Sequence, residues 1–580
     1  MPELTPEGVP GPAPEQTETT LLERALAFQK AGHTPLAAQL CREILARNPE
    51  RPEALLMLGL ILGKTDDPAA GAALLARYLA RYPDDPIATC QLGLMRRRQG
   101  QDRVALGLLE RALALKPDLA PALHGLGVTL HALGRLDEAA AALERALACE
   151  PRDAAARNNL GDLRRNQGRL DDALAAFDQA LALAPDLAIA HCNRGIVLAE
   201  LRRHDEAIPA FERALALDPG LERAHFELAE ALEASFRPTE AHHHRVAAVS
   251  GHPLVHVACT GAQPAARILV LCSAGRGDVS VKFLLDGARF DKTLLFLLLP
   301  DDAPPDYARR IAPLPPVDIL FNAIADADRG APYLAEAAAL CARQGHPVLN
   351  PPASIAATRR DRTASQLELI AGLVVPPTRR VTRAALAARA AETIPLAGPL
   401  LVRPVGSHGG EGLERIERPA ELAPYLERTR FDDFYLTDFC DFRSADGYYR
   451  KYRFVFVDRV AFPYHLAIAK QWRVHYWRAD MDEAPWMKQE EERFLADPDA
   501  TFGGARRAAI EAIGRRLDLD YGGLDCGILP DGDIVLFEAN ANILVHLNDP
   551  PDAFPYKHRY VPRIFDAMAD LVLRRIRATR

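Results

Sequence analysis

Asp525 and Glu538 lie on two short runs, GGLDCGIL (522–529) and DIVLFEAN (533–540), joined by the turn residues Asp531-Gly532. Asp-Gly between alternating apolar runs predicts a hairpin with a two-residue loop. Pro530 then faces Asp533, and counting outward puts Asp525 directly opposite Glu538. One face is apolar (Leu524, Cys526, Ile528, Val535, Phe537, Ala539), and the other carries both carboxylates with Asn540 alongside. Like charges facing each other at ~5 Å are destabilising. A hard divalent cation removes that cost, and carboxylate plus amide oxygens suit Mg²⁺ brought in on phosphates. The alternative is a solvated surface hairpin that tolerates two acids.

Upstream, PLLVRPVGSHGGEGLERI (399–416) reads as a buried strand ending at Arg403, then a loop rich in glycine. Such a loop can fold its backbone N–H groups over phosphates. It lacks the GK[ST] ending of a P-loop and opens no helix, so neither that fold nor a dinucleotide fingerprint applies. By itself it is equally a flexible turn.

The chain that must position these residues is 580 residues long with a net charge of −8, too long for one core and without the basic balance that marks nucleic-acid or anionic-membrane binding. Its nine cysteines are scattered, with no CxxC pair and no zinc-type spacing, which fits a reducing compartment. The segment MPELTPEGVPGPAPEQTETT reads as a disordered tail over 1–17, and Thr293–Leu299 is too short to span a bilayer. A cytoplasmic protein is expected.

Prolines recur every 34 residues at Pro49, Pro83, Pro117, Pro151, Pro185, Pro219 and Pro253. Gly59, Gly93, Gly127, Gly161 and Gly195 keep the same step, as do Ala37, Gly71, Ala105, Ala139, Ala173, Ala207 and Ala241. Small residues let paired helices approach closely, and each proline ends a second helix. This pattern resembles the tetratricopeptide repeat, which predicts seven helix pairs coiled into a superhelix over 18–255. Asn159 and Asn193, one repeat apart, are similar to the start of the asparagine ladder of O-linked GlcNAc transferases; by that resemblance they would hold peptide backbone in a concave groove. Two polar residues on a wet groove are the plainer reading. His242, His243 and His244 point in different directions on a helix and read as solvated.

After a linker over 256–266, RILVLCS, TLLFLLLP and VDILFNAI predict strands of a small parallel α/β layer over 267–355, with a helix at YLAEAAALCARQG. FNAI, LNPP, Asp361-Arg362 opening a helix, LVRPVGSHGGEG, FYLTDFCDF, KYRFVFVDRV, and Asp525 with Glu538-Ala-Asn540 follow in that order. This series resembles the ATP-grasp superfamily, notably the ribosomal-protein glutamate ligases and the D-alanine–D-alanine ligases. The resemblance implies an α/β layer followed by two α+β lobes over 356–580, hinged near 435–441. ATP would lie between the lobes, its adenine against Thr437, Asp438, Phe439 and Cys440. Its phosphates would lie under Gly406, Ser407, His408, Gly409, Gly410 and Gly412, with Mg²⁺ on Asp525, Glu538 and Asn540. Two phosphate-binding lysines of the family align with Arg362 and Arg403, a swap that is not neutral. Only nine lysines occur among the 70 basic residues, which makes Lys451, Lys470 and Lys488 in one stretch notable. Arg453 matches an arginine of the glutamate-ligase pattern, and Arg473 falls where that family places a basic residue near the transferred phosphate; Lys470 and Lys451 are further candidates for ligand contact. The family's Pro-Gly after E-x-N is replaced by NANILVH, so a differently shaped acceptor pocket is expected. Trp472, His475, Tyr476 and Trp477 either line it or serve as core and cover.

The expected function is an ATP- and Mg²⁺-dependent carboxylate–amine ligase acting through an acyl-phosphate on a peptide or protein recruited by the repeats. A nucleotide-binding scaffold whose repeats mediate protein interactions is the alternative.

Overall fold

The first six 34-residue periods each give a helix pair, and the first helix of the seventh follows them in the same unit. The computed structural model describes residues 17–64, 67–235, 237–275, 277–312, 314–390, 398–407, 410–474, 481 and 484–579. His408, Gly409, His475, Tyr476 and Trp477 lie outside these, as does all but the last residue of the expected tail. The chain divides into two compact units, residues 1–235 and 236–580.

The first unit is a run of antiparallel helices from Glu18–Lys30 to Glu222–Ala234. Each recurring small residue has a packing reason. A Cβ added at Gly161 would meet the Phe177 ring at 2.7 Å, and one at Gly195 would meet Phe211 at 2.7 Å. Leu75, Leu109 and Leu143 fill the same position against Gly59, Gly93 and Gly127. The first helix of each of these pairs therefore presents a bare backbone to a large side chain of the second. Arg77, Arg111 and Arg145 donate to the carbonyls of Pro49, Pro83 and Pro117 at 2.6, 3.0 and 3.1 Å, tying each second helix to the turn of the preceding repeat. Of the two asparagines expected in a groove, Asn193 is buried and donates to Asn158 Oδ1 at 3.1 Å. Asn159 is half-buried, its Nδ2 2.7 Å from His124 Nε2.

The second unit begins with a helix, Pro238–Ser250, which buries Ala248 and Val249 in this unit's main core. The repeat period extends to 253, so the compact unit boundary falls one helix before the sequence boundary. Three sheets follow. The first contains β1 (Leu254–Val257), β2 (Ala266–Ser273), β3 (Phe290–Leu297), β4 (Ile319–Asn322) and β5 (Val348–Leu349) in the order β1-β3-β2-β4-β5. β3-β2-β4-β5 are parallel, as the apolar runs predict, and β1 adds an antiparallel edge that runs into the segment expected to be linker.

β6 (Leu373–Val374) joins the third sheet. β7 (Thr378–Thr382), β8 (Leu400–Pro404), β9 (Glu414–Ile416) and β10 (Asp433–Asp438) form an antiparallel sheet in the order β7-β10-β8-β9. β11 (Tyr449–Val457), β12 (Val460–Ala469), β13 (Tyr521–Ile528) and β14 (Ile534–Asn540) complete the third, ordered β12-β11-β13-β14-β6. One apolar core runs from the parallel sheet through one face of the third sheet to the C-terminal helix Pro562–Thr579. The opposite face of the third sheet carries Lys451, Arg453 and Asp525 beside a smaller apolar cluster that includes Tyr449, Ala467 and Val535. No helix among the described residues is long and apolar enough to cross a membrane.

Replacing Phe177 by Ala should cost about 3–5 kcal/mol by opening a cavity against Gly161. In a repeat array the loss is local. Amide exchange should accelerate across helices 154–166 and 170–183 and stay near wild-type rates in helices 18–30 and 34–47.

Candidate functional site

The register of β13 and β14 does bring Asp525 opposite Glu538, but by a different route from the expected one. The loop has three residues, because Leu529 N–H donates to Asp533 O at 2.8 Å and Ile528 pairs with Ile534. Gly532 takes φ +97°, which closes the turn. Phe537 is then an extra residue on β14, a bulge that shifts the register back by one. The two displacements cancel at Asp525. They do not cancel for side-chain direction. Val535, expected on the apolar face, lines the carboxylate side with Phe442, Tyr449 and Val474, while Leu536 joins the main core instead.

On the next strand, Arg453 pairs with Asp525 and Lys451 lies two residues away on the same face. Arg453 grips the carboxylate with two hydrogen bonds, 2.6 Å to Oδ1 and 2.8 Å to Oδ2, and Lys451 Nζ donates to Oδ2 at 3.0 Å. Burial alone would raise the Asp525 pKa; Arg453 and Lys451 outweigh it and hold the group well below the usual carboxylate range. Glu538 is likewise ion-paired with Arg360 and accepts from Asn540 Nδ2 at 2.7 Å. Its burial is outweighed by Arg360 and then Arg403, so it too is held well below the usual range. The like-charge cost of the hairpin is thus relieved by the chain's own cations. Among the described residues no group of three or more His, Cys, Asp or Glu is arranged to hold a metal ion.

These groups floor a cleft whose wall is the second sheet. Leu401 and Arg403 enter it from β8, Thr437 and Asp438 from β10, and Phe439 and Cys440 from the following turn. Val375, Phe442, Trp472 and Val474 give it apolar lining. Trp472 meets Phe439 edge-on at 5.7 Å, and the Arg415 guanidinium lies 4.1 Å from the Phe439 ring centroid. The lining also carries five cationic side chains, Arg360, Arg403, Lys451, Arg453 and Arg473, against three carboxylates, Asp438, Asp525 and Glu538. Arg403 donates to the Ser407 carbonyl at 2.5 Å. Burial, and next the neighbouring Arg360, lower its pKa to about 10.

In the glycine loop Gly406, Gly410 and Gly412 all have positive φ, so the turn needs them for its backbone. Gly410 lines the cleft and its carbonyl accepts from Arg473 at 2.6 Å. Gly406 and Ser407 line a smaller adjoining cavity that shares Arg360 and Asn540 with the main one. Gly412 faces neither; a Cβ there would meet Pro404 at 2.8 Å, and its carbonyl accepts from Tyr425.

Some expected residues fall elsewhere. Arg362 does not line the cleft, and Arg360 occupies it instead. Both lie on the short helix Arg360–Gln366, where positions two apart point in different directions. Lys470 is exposed, 5.9 Å from the Tyr448 ring, and Lys488 lies 4.3 Å over Phe554. His465, paired with Arg453 on β12, was not anticipated; burial and then Arg453 push its pKa well below the ordinary value. Only its place in an apolar strand, two residues after Pro463, could have signalled it.

A family model described as tetratricopeptide repeat matches residues 22–86, 90–156, 125–188, 158–222 and 192–241. Three solved structures illustrate the similarity. MamA is 26% identical, covering 27% of this chain and 92% of its own with a TM-score of 0.25. A thermophilic TPR protein in Thermus thermophilus is 28% identical, covering 32% and 100%, with a TM-score of 0.27. YrrB, a TPR protein with an unusual peptide-binding site, is 22% identical, covering 32% and 96%, with a TM-score of 0.27. No curated protein matches this chain.

Since both carboxylates titrate below their ordinary values, their pairs stabilise the fold above pH ~4 and lose that contribution as pH falls further. Arg453→Met removes the two-pronged partner of buried Asp525 and should cost about 3–5 kcal/mol. All three tryptophans (472, 477, 486) belong to the second unit, so urea denaturation followed by tryptophan fluorescence reads this loss selectively. Arg453→Met combined with Asp525→Leu should recover most of it. A double variant as unstable as the single one would remove the buried charge as the cause.

Proposed function

We propose that the second unit is an ATP- and Mg²⁺-dependent carboxylate–amine ligase of the ATP-grasp type, and that the tetratricopeptide repeats of the first unit recruit its peptide or protein substrate. Tetratricopeptide repeats imply protein–protein interaction; the ligase reading rests on the cleft. The observation that carries it is the convergence of four cations, Arg360, Arg403, Lys451 and Arg453, on the Asp525–Glu538 pair in a cleft that also has apolar and aromatic lining. A ligand with a flat apolar head and a multiply charged anionic tail matches both kinds of lining.

Within this reading the head lies against Thr437–Cys440 and Trp472. Arg360 and Arg403 take the phosphates, in a planar two-pronged geometry that a lysine cannot offer. Glu538, Asn540 and Asp525 supply hard oxygen donors, which fit magnesium in type, although each carboxylate is already neutralised by a side chain. When bound, the nucleotide and magnesium would supply phosphoryl transfer to a substrate carboxylate, leaving an acyl-phosphate that an amine displaces. Arg473, tied to the glycine loop through Gly410, would follow that loop as it covers the phosphates and neutralise charge developing on the transferred group. Lys470, exposed against Tyr448, has no part in this scheme.

A second reading is favoured by one observation. Both carboxylates hold their own cations without any ligand, so a nucleotide-binding scaffold could retain this cleft for stability alone.

Calorimetric titration with ATP in the presence of Mg²⁺ separates these. Binding should weaken about tenfold or more in Arg403→Gln, which loses a charged hydrogen-bond donor to phosphate. ADP release with hydroxylamine and a panel of amino acids and peptides should be abolished in Glu538→Gln. ATP binding without turnover across the panel would favour the scaffold, and no measurable ATP binding would sink both readings.

A further inference from the structure

The two carboxylates of the cleft differ in how they are held. Asp525 is gripped from within its own sheet, by an arginine directly across the strand pair with two short hydrogen bonds. Glu538 is held from outside the sheet, by Arg360 at the start of the seven-residue helix Arg360–Gln366. The Asp525 carboxylate has Lys451 as a second cation on the same strand as Arg453 and stays paired when either side chain moves. The Glu538 pair needs only one side chain to swing.

We propose that Arg360 gates the divalent-cation site: it occupies Glu538 until a polyphosphate draws it off, so the metal enters with the polyphosphate and not ahead of it. This inference rests on the magnesium–nucleotide reading above. Three features support the exchange. Arg360 lines both the main cleft and the adjoining cavity, so its side chain has space away from Glu538 to move into. The Arg360 and Glu538 side chains retain 18% and 22% exposure, so both are reachable from the cleft. Arg403 sits close enough to Arg360 for each cation to disfavour the other, a repulsion that a polyanion bridging them removes. A lone dication, in contrast, must evict a guanidinium while entering a cleft where cations outnumber carboxylates five to three.

Electron paramagnetic resonance of Mn²⁺ tests the gate on the full chain without nucleotide or turnover. Wild type should bind Mn²⁺ alone only weakly. Arg360→Gln should bind it at least about tenfold more tightly, the scale of one removed charge contact. Arg360→Lys, which keeps the charge, should stay near wild type. Equal Mn²⁺ affinity in wild type and Arg360→Gln overturns the gate. So does an equal gain in Arg403→Gln, which removes the same charge without releasing Glu538. Arg360→Met repeats the measurement with a side chain that keeps the apolar stem, should Arg360→Gln fold poorly. A failure to bind ATP in calorimetry is a separate result, because no nucleotide enters this titration.

Discussion

Everything in the cleft is organised around one constraint: two carboxylates, Asp525 buried and Glu538 half-buried, face each other on adjacent strands and must both stay charged. Burial pushes each toward protonation, and their proximity does the same. The fold answers with cations placed by strand register. Because β11 lies beside β13, the alternation that points Asp525 into the cleft points Lys451 and Arg453 there too. The end of β8 and the helix at Arg360 bring Arg403 and Arg360 to the other carboxylate. With its anions so balanced, the cleft keeps an excess of cations. It is therefore locally positive in a chain whose net charge is negative.

The first unit obeys a simpler rule. Its order comes from backbone approach: a small residue on one helix and a large one on the next, repeated every 34 residues. Each interface is local, so the array can be read one repeat at a time. That is also why Asn193 differs from its expected role. Periodicity placed it correctly on a first helix, but periodicity does not say which side of that helix is occupied. The first helix of the preceding repeat offers Asn158 as a partner, and Asn193 turns inward to meet it.

The same contrast explains what was legible in the second unit. Strands rich in branched residues, the parallel order of the first sheet and the Asp525–Glu538 pairing all depend on short-range alternation, which sequence carries well. The three-residue loop and the Phe537 bulge were invisible because they offset each other: a count from the turn arrives at the right pair with the wrong intermediate steps. Arg360 was missed for a different reason. Arg359, Arg360 and Arg362 are chemically alike, and choosing among them needs the phase of a short helix, which a single turn of sequence does not specify. β1 crosses the expected boundary between repeats and linker, and its place as an edge strand rests on pairing with the distant β3 rather than on burial of its own side chains.

The choice of arginine over lysine at position 403 also has a physical rationale within this molecule. Lys557, buried elsewhere in the second unit beside Asp549 and Glu491, has its pKa lowered by burial to about 7. Arg403 is lowered to about 10 by burial and by Arg360. A lysine at position 403 would face the same desolvation plus repulsion from Arg360. Guanidinium starts from a higher intrinsic pKa and tolerates both. Arginine at position 403 therefore belongs with its close placement beside Arg360: a guanidinium, which does not readily give up its proton, lets the two positive charges stand side by side.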